Sequence, residues 1–111
     1  MGVKDYIVEN SLNTKVVLLV PHESPHGIQG IGDCGDYLLD KDCVDHTLRI
    51  KTADAIDRAK RLTRDLGIPV GISSGANVLA AEVYRDYMCC DDGVIVTTLC
   101  DRGERYLSVY E

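Results

Sequence analysis

At 111 residues the chain is one domain at most, and its apolar content of 45% is ordinary for a globular protein. The net charge of −6, with Lys and Arg interleaved among Asp and Glu, argues against a clustered basic surface and so against nucleic acid as a partner. No apolar run reaches the length of a membrane span and no signal-peptide pattern is present, so no membrane partner and a cytoplasmic location are expected.

Val3, Tyr6, Ile7 and Asn10 share one side of a predicted helix over residues 2–11, which Asn13 can end. Val16-Val17-Leu18-Leu19-Val20 follows, stopped by Pro21. A run apolar on both faces reads as a buried parallel strand. Residues 21–43, rich in Gly, Pro, Asp and His, form a long predicted loop with a short helix near 37–40. Residues 44–50 give a second strand of alternating character.

Thr52 is the expected N-cap of the next helix, with Asp54 in its first turn, where the helix dipole favours a carboxylate. Ala55, Ile56, Ala59, Leu62 and Leu66 recur at helical spacing, and Gly67 supplies the stop. Residues 68–72 read as a strand and 76–88 as an amphipathic helix carrying Ala76, Leu79, Ala80, Val83, Tyr84 and Tyr87. Asp91-Asp92-Gly93 turns the chain into a last strand over 94–99. Strands alternating with helices predict an α/β fold with a mostly parallel sheet. With Phe and Trp absent, its core is built from Val, Ile, Leu and Ala.

The segment Gly71-Ile72-Ser73-Ser74-Gly75-Ala76-Asn77 stands between the 68–72 strand and the following helix. A serine-glycine turn there leaves backbone N–H groups and a hydroxyl facing a ligand. Taken alone it reads better as a helix cap. Cys34, Cys43, Cys89, Cys90 and Cys100 are odd in number and lack zinc-site spacing, so free thiols and no metal site are expected. His22 and His26 flank Glu23 without a third ligand at suitable spacing. Asp33, Asp36, Asp40, Asp42 and Asp45 read as a solvated acidic face.

Three segments together carry a sharper signal: Pro25-His26-Gly27-Ile28-Gln29-Gly30-Ile31-Gly32, the serine turn, and Asp101-Arg102-Gly103-Glu104-Arg105-Tyr106-Leu107-Ser108. In this order and spacing they resemble the cysteine synthase (O-acetylserine sulfhydrylase) family, the β-family of pyridoxal-phosphate enzymes. The resemblance runs from about Gly2 to the end and corresponds to the last third of such an enzyme. It implies a partial doubly wound, mostly parallel sheet, like the C-terminal part of the large domain of fold-type II enzymes. Residues 1–111 would then be a single partial domain.

The resemblance assigns Ser73 to the ring nitrogen of pyridoxal 5'-phosphate. A neutral hydroxyl there leaves the nitrogen largely unprotonated, whereas a carboxylate would make the ring a deeper electron sink. Loss of a β-substituent and its replacement are then favoured over racemisation or transamination. Gln29, Gly30 and Ile31, with Gly32, would line the substrate side. Cys100 stands where the family usually has Pro, and Val20 where it has Glu before the strand-ending proline.

The family's Schiff-base lysine segment and its Gly-Thr-Gly-Gly-Thr type phosphate loop do not occur in this chain. Val3-Lys4-Asp5 imitates the lysine motif, but by position Lys4 is an exposed helix residue. No catalytic residue is therefore assigned, and the cofactor is expected without covalent attachment here. The complete family replaces the acetoxy group of O-acetylserine with sulfide in cysteine biosynthesis. This chain alone is expected to be inactive, a truncated product or half of a split enzyme completed by an N-terminal chain. The alternative is a non-catalytic α/β oligomerisation or interaction module, since unpaired strand edges favour self-association. A third reading is a small phosphate- or nucleotide-binding protein using residues 73–75.

Overall fold

The structure, a computed structural model, describes residues 2–23, 27–28, 41–88 and 93–106. The expected helix near 37–40 lies outside them, as do Gln29, Gly30 and Ile31, His26, Asp33, Asp36 and Asp40, and Cys34, Cys89 and Cys90. Helix α1 (Gly2–Glu9) is followed by strand β1 (Val17–Pro21), strand β2 (His46–Ile50), helix α2 (Thr52–Leu66) and helix α3 (Ile72–Met88). Short 3-10 turns occupy Lys41–Cys43 and Gly103–Tyr106. The α/β class and the parallel pairing expected from the sequence are present. β1 and β2 run parallel, with Val17 opposite His46 and Pro21 opposite Ile50.

α1 ends two residues early, and Asn13 does not stop it. Ser11 adopts the left-handed conformation at φ 51°. Its N–H donates to the Val8 carbonyl (3.1 Å) and the Leu12 N–H to that of Ile7 (2.9 Å), which satisfies the last helix carbonyls. Of the expected apolar side only Ile7 is buried; Val3 and Tyr6 face solvent. A serine pays a steric cost in that region that glycine does not. Ser11→Gly should stabilise the protein by roughly 0.5–1 kcal/mol in urea unfolding, and a loss of stability would show that the backbone there is not left-handed.

α2 starts at its expected cap, one position earlier than predicted. Lys51 holds the cap position without a side-chain bond, and Thr52 is the first helical residue. The cap comes from a distance instead. Glu23 Oε1 accepts the Thr52 N–H and the Thr52 hydroxyl (both 2.5 Å), and Thr52 Oγ1 accepts the Gly27 N–H at 3.1 Å. A carboxylate at a helix N-terminus meets both unpaired N–H groups and the positive end of the dipole. At the other end Gly67, at φ 67°, stops the helix as expected, and its N–H reaches the Leu62 carbonyl.

The expected strand over 68–72 is not formed. Residues 67–71 carry no regular structure, and α3 begins at Ile72, four residues before the expected start. α3 packs between the sheet and α2. Ile28, Ile50, Ala55, Ile72, Ala76 and Ala80 form one buried cluster, with Leu19, Leu48, Ile56 and Leu79 against it. Ala59, Leu62 and Val70 form a second beneath Val78. Tyr84 on α3 stacks at a tilt on His46 of β2, with ring centroids 5.6 Å apart.

The expected strand over 94–99 is also unformed. Residues 93–100 are exposed and enter no ladder among the described residues. A strand is a paired object, and β-branched sequence alone cannot satisfy its N–H and C=O groups.

Asp45 is exposed, as expected of the acidic stretch, but it is also engaged. It accepts the Val16 N–H at 2.7 Å and pairs with Lys4 Nζ at 2.9 Å, tying α1 to the entry of the sheet. Lys4 is therefore half-buried and engaged rather than freely exposed. Hydrogen bonds from Thr52 hold the Glu23 carboxyl below its ordinary 4.5, and the Val16 N–H with Lys4 holds Asp45 below 3.8. A depressed folded pKa gives stability that is complete above the unfolded value and lost as pH falls through the folded one. Thermal midpoints should thus be flat above about pH 5 and fall below about pH 4.5. Glu23→Gln should flatten part of that fall; an unchanged acid limb would exclude Glu23 as its source.

Candidate functional site

The serine turn is the first turn of α3. The Gly71 carbonyl accepts the Gly75 N–H at 3.1 Å, which opens the helix, while the N–H groups before Gly75 have no intrahelical acceptor. Every residue from Gly71 to Ala76 is buried. What each does there differs.

Gly75 faces α2. A Cβ on it would lie 2.4 Å from the Ala55 carbonyl oxygen and 2.8 Å from the Ala59 N and Cβ. Its lack of a side chain serves the close helix crossing, not a ligand. Ser74, fully buried, accepts the Cys100 N–H on its hydroxyl at 2.9 Å. That leaves Ser73. It is 7% exposed, and no hydrogen bond engages its hydroxyl among the described residues.

Residues 98–103 are clasped to this turn from outside. Gly71 N–H donates to the Asp101 carbonyl (3.1 Å) and Gly103 N–H to that of Pro69 (3.3 Å). Asn77 Nδ2 donates to the Thr98 carbonyl at 3.0 Å and lies 3.6 Å from Cys100 Sγ. Cys100 is thus placed beside the N-terminal turn of α3, and Arg102 pairs with Glu104 across 3.6 Å at the surface. Sequence reasoning missed Asn77 and the Glu23–Thr52 contact. The first sits at an unremarkable helical position, and the second joins residues 29 apart with no local pattern to mark it.

Removing the Ser74 hydroxyl should cost about 0.5–1.5 kcal/mol for a bond of this kind, with the Cys100 N–H left to water. Ser74→Ala should also speed hydrogen exchange of the Cys100 amide; unchanged exchange would exclude this clasp as its protection.

Among the described residues no group of three His, Cys, Asp or Glu is placed to hold a metal ion. The loop histidine His22 is exposed, and its neighbour Glu23 is engaged by α2. A cavity of about 310 Å³ opens elsewhere, between α2 and α3, lined by Asp54, Asp57, Arg58, Arg61, Leu79 and Glu82. Its charges are largely paired with one another: Arg58 with Glu82, and Arg61 with Asp57 at 2.9 Å. No helix among the described residues is long and apolar enough to cross a membrane.

No family model matches the chain. Cysteine synthase B of Campylobacter jejuni is 38% identical over 117 aligned residues, which cover 96% of this chain and 38% of that protein. The crystal structure of cysteine synthase from Entamoeba histolytica superposes with a TM-score of 0.86 at 36% identity, covering 96% of this chain and 35% of that one. A hydrogen sulfide-producing enzyme from Fusobacterium nucleatum gives 0.82 at 36% identity over 97% and 35%. The chain therefore spans a little over a third of the length of these relatives.

Proposed function

Because this chain is a relative of the cysteine synthases along nearly its whole length, we propose that it forms the C-terminal side of a pyridoxal-phosphate site. In that site the Ser73 hydroxyl meets the pyridine nitrogen. The observation that carries the reading is the division of labour at the turn: Ser74 and Gly75 have structural partners, and the Ser73 hydroxyl has none among the described residues.

The cofactor, when bound, supplies an electron sink conjugated to the substrate's α-carbon, which lets a β-substituent leave. Ser73 orients the ring with a neutral group. The N-terminus of α3 carries partial positive charge, which disfavours a protonated ring nitrogen beside it. Both features suit replacement at the β-carbon, with O-acetylserine and sulfide as the proposed substrates. Gln29, Gly30 and Ile31 are proposed on the substrate side.

The family's Schiff-base lysine segment and phosphate loop do not occur in this sequence, and Lys4 is paired with Asp45. Those roles belong to the part of the fold outside the matched segment, whether it is carried by the same polypeptide or by another. Cys43 and Cys100, neither of them in a disulfide, fit a cytoplasmic setting. Borohydride reduction of the chain mixed with pyridoxal phosphate should leave no stoichiometric adduct on Lys4; such an adduct would return Lys4 to the site.

The direct test fuses this chain to the part of Campylobacter jejuni cysteine synthase B outside the matched segment. The chimera should bind the cofactor and form cysteine from O-acetylserine and sulfide. Ser73→Ala should lower its activity at least tenfold and shift the cofactor's absorption. A chimera that binds cofactor but responds to neither change would exclude Ser73 from the ring. The second reading, a non-catalytic interaction module, draws on the exposed 94–99 segment and gains if the chimera folds without binding cofactor.

A further inference from the structure

Three bonds already fix the main chain over residues 100–103: Cys100 N–H to Ser74, Gly71 N–H to Asp101 and Gly103 N–H to Pro69. Asn77 adds a contact of another kind, to a side chain. Its Nδ2 donates to the Thr98 carbonyl at 3.0 Å, which sets the end of the carboxamide that faces the segment. The same nitrogen lies 3.6 Å from Cys100 Sγ. An amide nitrogen only donates, so the sulfur accepts there. The thiol hydrogen is left to Thr98, whose hydroxyl lies 3.6 Å from Sγ and whose carbonyl lies 4.0 Å away. Cys100 is exposed, yet polar groups of Asn77 and Thr98 orient its sulfur.

Asn77 stands four residues after Ser73, one turn along the same face of α3. Cys100 is tied to both ends of that turn, by its N–H to Ser74 and by its sulfur to Asn77. We propose that Asn77 is a positioning residue of the ring site, acting through Cys100. It turns the thiol so that its hydrogen points to Thr98, which leaves the buried Ser73 hydroxyl as the donor on that face. Freed of Asn77, the thiol rotates about its Cα–Cβ bond, and a second, weaker donor enters the face that Ser73 occupies. The inference rests on the functional reading above and names what keeps hydrogen-bond donation at that site to one group.

The first test needs only this chain and no cofactor. In NMR the two Hα–Hβ couplings of Cys100 should be those of a single rotamer, and in Asn77→Leu, which keeps the shape but not the donor, they should collapse to a common averaged value. Asn77→Gln, which keeps a donor, should preserve the single rotamer. The second test uses the chimera with Campylobacter jejuni cysteine synthase B. There Asn77→Leu should shift the absorption of the bound cofactor and lower kcat at least threefold, with KM for O-acetylserine changed less than twofold. Adding Cys100→Ala should return the absorption to that of the parent, because the competing hydrogen is gone. The proposal is overturned if Asn77→Leu leaves one Cys100 rotamer, if it leaves the absorption unmoved, or if Cys100→Ala fails to reverse the shift. A chimera whose absorption answers to Ser73→Ala and not to Asn77→Leu would refute only this inference. One that answers to Asn77→Leu, reversed by Cys100→Ala, and not to Ser73→Ala would refute the placing of Ser73 at the ring and leave the restraint of the thiol by Asn77 standing.

Discussion

Gly75→Ala should be among the most damaging single substitutions in the chain, costing about 3 kcal/mol, the upper end of the range for overpacking a core. The added methyl has no low-energy escape. Its three nearest neighbours are the Ala55 carbonyl oxygen, the Ala59 nitrogen and the Ala59 methyl, all closer than real Cβ contacts come. Two of these are backbone atoms in the middle of α2, so relief requires the helices to separate. Their separation would uncover Ala55, Ala59, Ala76 and Val70, all of them buried. Gly2→Ala is the control, since a Cβ there meets nothing. Urea unfolding should show the Gly75 variant shifted far below Gly2→Ala. Equal midpoints would mean that α2 and α3 cross less closely than described.

Ile28→Ala should cost about 2–5 kcal/mol, and Ile28→Val about 0.5–1.5. Ile28 is the largest side chain with no exposure among the described residues, and it joins the cluster of Ile50, Ile72 and Ala76 from outside the described helices and strands. Truncation leaves a cavity that the rigid sheet and α3 cannot close. Thermal unfolding of both variants should preserve the ranking. A cost below about 1 kcal/mol for the alanine would show that the residue is not core.

How much of this was legible in the sequence divides along physical lines. The period of α2 and its glycine stop were plain, because both are local signals. β1 and β2 are legible as strands from their apolar character, and the alternation of strands with helices points to a mostly parallel sheet. Local reasoning failed where tertiary contacts decide. The start of α3 was placed late because Ser73, Ser74 and Gly75 are poor helix formers, whereas the buried α2 crossing selects them. Thr52 was named a cap because its type fits, but the cap is Glu23, distant in sequence. The 94–99 segment was given strand structure on composition, which reports suitability for pairing and not the pairing itself. Ile28 was hidden in a stretch dominated by glycine and proline, where burial has no periodicity to announce it. Ser73 was singled out by resemblance; what the structure adds is the occupation of its two neighbours.

The clasps from Asn77, Ser74 and Gly71 have a mechanical consequence. They join the exposed segment over 94–99 to the first turn of α3. Thermodynamic linkage then runs both ways, so that tightening one end favours order at the other by the same free energy.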